Sequence, residues 1–105
     1  MSKGDLTGFE IAGADTLPEI LDQLQGYPLY ITLDVDVLDP SIMSGTGTPE
    51  AGGITYKELL KALLQLKDQN IVGVDIVELA PDYDMSGVST ATACTLIREL
   101  LLLMA

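Results

Sequence analysis

Asp34, Asp36 and Asp39 follow directly on the apolar run Leu29-Tyr30-Ile31-Thr32-Leu33, and Pro40 closes the segment. Asp34 and Asp36 are two residues apart, so on an extended chain they face the same side. Like charges side by side repel, and a compact fold needs something positive between them. No Lys or Arg stands nearby in the sequence, so a hard divalent cation is the simplest partner. A bridged pair of Mg²⁺ or Mn²⁺ ions suits carboxylate-only ligation. Two such ions about 3.5–4 Å apart can acidify a shared water into a nucleophile near neutral pH. Two carboxylates cannot hold two ions alone, so other ligands must come from elsewhere.

Two other chemistries fit less well. An EF-hand loop counted from Asp34 needs an oxygen ligand at its fifth position, Gly at its sixth and Glu at its twelfth. Leu38, Asp39 and Gly45 stand there instead. A glycosidase carboxylate pair is possible in principle. It would have no Trp for sugar stacking, and aromatic residues make up only 5% of the chain.

Composition narrows the classes further. Histidine is absent, which excludes His-based acid/base chemistry, Ser–His activation and His-ligated zinc within the chain. Five Lys+Arg against sixteen Asp+Glu give a net charge of −11. Nucleic acid and anionic membrane are poor partners for such a surface, whereas a cationic ligand or metal suits it. A merely soluble acidic surface is the competing reading for the charge outside Asp34–Asp39. The lone Cys94 forbids an intrachain disulfide and is expected to be a small core residue. No signal-peptide pattern opens the sequence, and the apolar C-terminus is too short to span a bilayer, so a cytoplasmic protein is expected.

The elements that position the acids are legible as patterns. Thr16 and Glu19 have capping-box spacing before Leu17, Ile20, Leu21 and Leu24, and Gly26 closes that helix. A strand is expected from about Leu29 to Val35, and a weak one near Phe9 to Ile11. Residues 39–54 read as a long loop, functional and not a floppy linker. Thr55 and Glu58 form a second capping box, opening a helix to about Asp68. Ile71 to Leu79 reads as a buried strand, apolar enough for a parallel sheet covered on both faces. A last helix runs from about Val88 to Met104. Strand, helix, strand predicts a βαβ unit, with Asp34, Asp36, Glu78 and the glycine-rich loop at one sheet edge. Two convincing strands make a marginal sheet, so the chain looks like part of a larger α/β domain.

Three ordered motifs now resemble the C-terminal portion of the ureohydrolase family of arginases, agmatinases and formiminoglutamases. They are Thr32 to Pro40, Gly45 to Gly53, and Asp75-Ile76-Val77-Glu78. The resemblance covers residues 16 to 105, and residues 1–105 are taken as a single C-terminal segment. It implies a partial three-layer α/β/α parallel sheet and a site with two Mn²⁺ ions. It also implies hydrolysis of a guanidino compound, agmatine by closest likeness, to urea and an amine. Asp34 and Asp36 match the family's metal ligands. Glu78 matches the acid beside the guanidinium, and Thr46 and Glu50 lie on the substrate loop. Glu50 stands where arginases carry an apolar residue, though a loop-capping role competes for it. Asp75 reads as structural, and Asp39, Asp82 and Asp84 read as turn-forming.

Some positions depart from the family pattern. Ser44 replaces a Pro, Thr32 a Ser, and Met85 the His of many agmatinases. The family's His ligand and its Asp-x-His-x-Asp motif are absent, so no catalytic set is complete here and the chain is expected to be inactive alone. A homo-oligomer is expected. The alternative is a non-catalytic acidic α/β module that acts through self-association or a partner.

Overall fold

The computed structural model describes residues 17–105. The expected cap at Thr16 and the weak strand near Phe9 to Ile11 lie outside the described residues. Helix α1 spans Leu17–Gln23, strand β1 Leu29–Asp34, helix α2 Tyr56–Leu64, strand β2 Ile71–Val77 and helix α3 Val88–Met104. The two strands pair in parallel, Ile31 with Val74, Leu33 with Ile76 and Asp34 with Val77. A register slip after Leu29 leaves Val72 unpaired.

Each element forms for a visible reason. Leu21 and Leu24 bury the apolar stripe of α1, and Gly26 adopts φ 83° to end it. In α2 the capping box is reciprocal: the Glu58 amide donates to Thr55 Oγ1 and the Thr55 amide to Glu58 Oε1, both at 3.1 Å. This helix stops at Leu64, short of the expected Asp68. The chain tightens into i→i+3 turns that carry Leu66 into the core, and Asp68 takes a left-handed conformation with φ 73°.

One face of the sheet carries the core. Leu29, Leu33 and the half-buried Ile31, Val74 and Ile76 join Leu59, Leu63, Leu96 and Leu100 in one cluster. On the other face Tyr30 is 59% exposed and Thr32 is exposed as well. The expectation of a sheet covered on both faces is therefore met on one face only among the described residues. On the open face the Tyr30 ring lies over Gly73, where a Cβ would come within 2.7 Å of it. The Tyr30 hydroxyl donates to Asp75 Oδ2 at 3.0 Å, while Asp75 Oδ1 is buried with no hydrogen-bond partner among the described residues. Cys94 corrects another expectation, because it is exposed. The buried stripe of α3 runs through Ser89, Ala93, Leu96 and Leu100. Cys94 follows Ala93 and points about 100° away from that stripe.

The 39–54 loop is ordered. Leu38 bridges Ile54 in parallel, with Asp39 N–H donating to Ile54 O at 3.0 Å and Ile54 N–H to Val37 O at 3.1 Å. Asp39 fulfils its turn role: its carboxylate accepts the Ser41 amide, the Ser41 hydroxyl and the Gly52 amide. Those donors stabilise the charged form and hold its pKa below the usual carboxylate range. Met43 is fully buried and anchors the middle of the loop. At Gly53 the backbone of Leu38 and Asp39 approaches so closely that a Cβ would lie 2.5 Å from the Asp39 nitrogen. Gly53→Ala is expected to destabilise the chain by about 1–3 kcal/mol, as overpacking against rigid backbone does. A urea midpoint equal to that of the unmutated chain would contradict this.

Candidate metal and substrate site

The β1–β2 register places the site acids. Asp34 is the last residue of β1 and pairs with Val77, the last residue of β2. Glu78 follows immediately, so both acids leave the sheet at its C-terminal edge, where α/β folds bind ligands. Glu78 adopts φ 72°. A left-handed conformation in a residue with a Cβ costs on the order of 1–3 kcal/mol and is found where surrounding structure imposes it.

Asp36 reaches Asp34 by a route the sequence did not reveal. The strand ends one residue earlier than expected, and Val35–Val37 form a single 3-10 turn. Asp34 Oδ1 accepts the Asp36 amide at 3.0 Å, satisfying a donor at the turn's start. Val35 is 0% exposed and plugs the core beneath. The two acids are thus neighbours across a capped turn, not alternate residues of one pleat.

The electrostatics follow from that crowding. Burial pushes the Asp34 carboxyl up to about 6; the adjoining Asp36 carboxyl and the Glu78 charge push the same way, and only the Asp36 amide opposes them. Among the described residues the ion pair formed is Arg98–Glu99 on α3, and none of these three acids has a cationic partner. Asp36 has a hydroxyl partner, since Thr48 Oγ1 donates to Asp36 Oδ2 at 3.0 Å.

Thr46 and Glu50 sit differently on the loop. Thr46 is 2% exposed, and its Oγ1 accepts the Thr48 amide at 3.2 Å, so its hydroxyl orders the turn that presents Thr48. Glu50 is exposed, beyond Pro49. The structure therefore brings Asp34, Asp36, Glu78 and the Thr46–Thr48 turn together. Thr48 was not singled out in the sequence. Its position before Pro49 was the available signal, because a residue before proline is held extended.

Asp34 and Asp36, both partly buried, offer hard oxygen donors, the chemistry that Mg²⁺ and Mn²⁺ take. Their number is short. No cluster of three or more His, Cys, Asp or Glu side chains placed to hold an ion occurs among the described residues. The donor set fits such an ion in kind and would supply only part of a coordination shell.

The Asp34 shift has a signed consequence. Its folded pKa lies above the unfolded value of 3.8, so the folded chain binds the proton more tightly. Stability from this group is present below pH 4 and is lost as pH rises toward 6. Asp39 and Asp84 are shifted the other way and lose their contribution only below their usual range. Asp34→Asn is therefore expected to melt higher than the unmutated chain at pH 7, with the gap closing at pH 4. A gap that does not change between those two pH values would contradict the assignment.

Known proteins share this arrangement of segments. A profile of the arginase family matches residues 6–103. The agmatinase of Bacillus anthracis is 50% identical over 90 residues, which make up 84% of this chain and 31% of that protein. The agmatinase of Bacillus subtilis (strain 168) is 46% identical over 99 residues, 92% of this chain and 33% of that protein. The solved structure of the proclavaminate amidino hydrolase from Streptomyces clavuligerus superposes with a TM-score of 0.80 at 32% identity. It covers 99% of this chain and 34% of that one. The chain thus spans about a third of the length of the curated relatives it matches. Among the described residues no helix is long and apolar enough to cross a membrane. With the family profile running over nearly the whole sequence, and with an arginase-like partial α/β fold carrying its acids at one strand edge, the chain belongs to the arginase family.

Proposed function

We propose that this chain supplies the C-terminal segment of an agmatinase-like ureohydrolase, which cleaves a guanidino compound, agmatine, to urea and an amine. The observation that supports this most is the meeting of Asp34, Asp36 and Glu78 at one strand edge beside an ordered loop. The 50% identity to an agmatinase supports the substrate class.

In this reading Asp34 and Asp36 hold part of a two-ion Mn²⁺ centre. Manganese bound there would supply the Lewis acidity that makes water a nucleophile at neutral pH. Glu78 accepts a bidentate pair from the planar guanidinium and orients its carbon toward that water. The exposed carboxylate of Glu50 favours a substrate that is cationic and carries no carboxylate of its own. The oxygen of water ends on the urea carbon, and its two protons end on the departing nitrogen as the C–N bond breaks.

Ligand count limits what the chain does alone. Two carboxylates of the about six ligands such a centre uses give weak affinity. Calorimetric titration with Mn²⁺ is expected to show binding weaker than about 10⁻⁴ M, and Asp34→Ala is expected to abolish it. The uncovered sheet face favours a second reading, a non-catalytic acidic module that self-associates; absence of any Mn²⁺ binding by the unmutated chain would leave that one standing. The purified 105-residue protein is expected to release no urea from agmatine above a metal-only blank. Release above the blank would show that two ligands suffice and refute the deficit.

A further inference from the structure

The segment after β2 holds a cluster that the metal and substrate roles leave unused. Asp84 Oδ2 accepts the Ser89 amide at 2.7 Å and the Ser89 hydroxyl at 2.6 Å. Its other oxygen accepts the Ser86 amide at 2.9 Å and the Ser86 hydroxyl. With its proton committed to Asp84, Ser89 Oγ offers a lone pair to the Gly45 amide at 2.8 Å. The Gly45 carbonyl in turn accepts the Ala80 amide at 2.6 Å. Both polar groups of Gly45 are thus taken, one by α3 and one by the segment that follows Glu78.

No space is left at this point. Ser89 is 0% exposed, and a Cβ on Gly45 would lie 2.8 Å from the Ser89 Cβ and 3.3 Å from the Ala80 oxygen. Next along the chain come buried Thr46 and then Thr48, whose hydroxyl meets Asp36. We infer that Asp84 is a positioning residue: acting through Ser89 it clamps Gly45, and so holds the Thr46–Thr48 turn against Asp36.

Helix capping alone does not account for the arrangement. A cap at the start of α3 needs only the Ser89 amide bonded to Asp84. The hydroxyl relay is additional, and it leads into the loop. A carboxylate acceptor polarises the Ser89 hydroxyl, so its lone pair binds the Gly45 amide more strongly than a free serine would. The same donors keep Asp84 far below the usual carboxylate range, so it stays ionised at any working pH. A loop rich in glycine loses much backbone freedom when ordered, and a fixed point in its middle shortens the part left to order. The importance of Thr48 rests on the proposed metal and substrate role of Asp36; the clamp itself is measurable without metal.

Residue-resolved amide hydrogen exchange on the metal-free 105-residue chain tests the inference. Ser89→Ala is expected to speed exchange of the Ala80 and Thr48 amides by about tenfold or more, with Ile31 and Leu33 in β1 unchanged. Asp84→Asn, which keeps an acceptor without the charge, is expected to fall between that variant and the unmutated chain. Unchanged Ala80 and Thr48 rates in Ser89→Ala overturn the clamp. So does an equal acceleration in β1 or loss of the fold, since either would assign Ser89 to global stability. A clamp that passes while the chain binds no Mn²⁺ would fault the metal reading and leave the inference intact.

Discussion

The parallel register of β1 on β2 is the constraint from which the rest of the site follows. Pairing Asp34 with Val77 puts the ends of both strands level, so the two chains leave the sheet side by side. One exits through the 3-10 turn that carries Asp36, the other through Glu78. A slip of one residue would move every side chain of a strand to the opposite face. It would take Leu33 out of the core cluster and Asp34 away from its place above Val35. The hydrophobic packing that fixes the register therefore also fixes the spacing of the acids.

That placement is unfavourable taken alone. Asp34 is partly buried near two other negative groups, and Glu78 holds a left-handed backbone. The surrounding structure offsets these terms with ordinary means: a leucine-rich core on one face of the sheet, the reciprocal cap of α2, and a loop sewn by the Asp39 carboxylate. The left-handed backbone of Glu78 beside the crowded Asp34 fits a ligand-binding edge, whereas the left-handed Asp68 only closes the turn after α2.

The parts legible in the sequence were those set by local chemistry. The Thr55–Glu58 cap, the stripe of Leu21 and Leu24, Gly26 at a helix end and the turn role of Asp39 all depend on neighbours within a few residues. The convergence of Asp34 with Glu78 was also legible, because a βαβ unit allows one edge only. What the sequence hid depends on distant partners. The Thr48–Asp36 bond spans a loop closed by Leu38 and Ile54, and no local pattern encodes that closure. The Asp84–Ser89–Gly45 relay joins residues more than forty positions apart. The exposure of Cys94 turned on which of two adjacent helix positions faces β2, and an apolar helix with a weak stripe does not decide that from sequence.

Asp34, Asp39 and Asp84 have the same side chain and opposite fates, and the contrast is the sharpest internal argument for where the chemistry lies. Asp39 and Asp84 are exposed enough to be solvated and are supplied with backbone and hydroxyl donors from their own turns, so their charge is satisfied within the chain. Asp34 receives one amide and otherwise faces burial and negative neighbours. A carboxylate whose needs are met by its own loop has finished its work once the loop is folded. One that is held ready, raised in pKa and without a cation among the described residues, has an interaction still to make. The net charge of −11 spreads widely over the chain, but Asp34, Asp36 and Glu78 crowd together at one strand edge with no cation beside them among the described residues. A positive ligand bound there would relieve all three at once, which is why the site is better explained by an incoming cation than by the acidity of the surface as a whole.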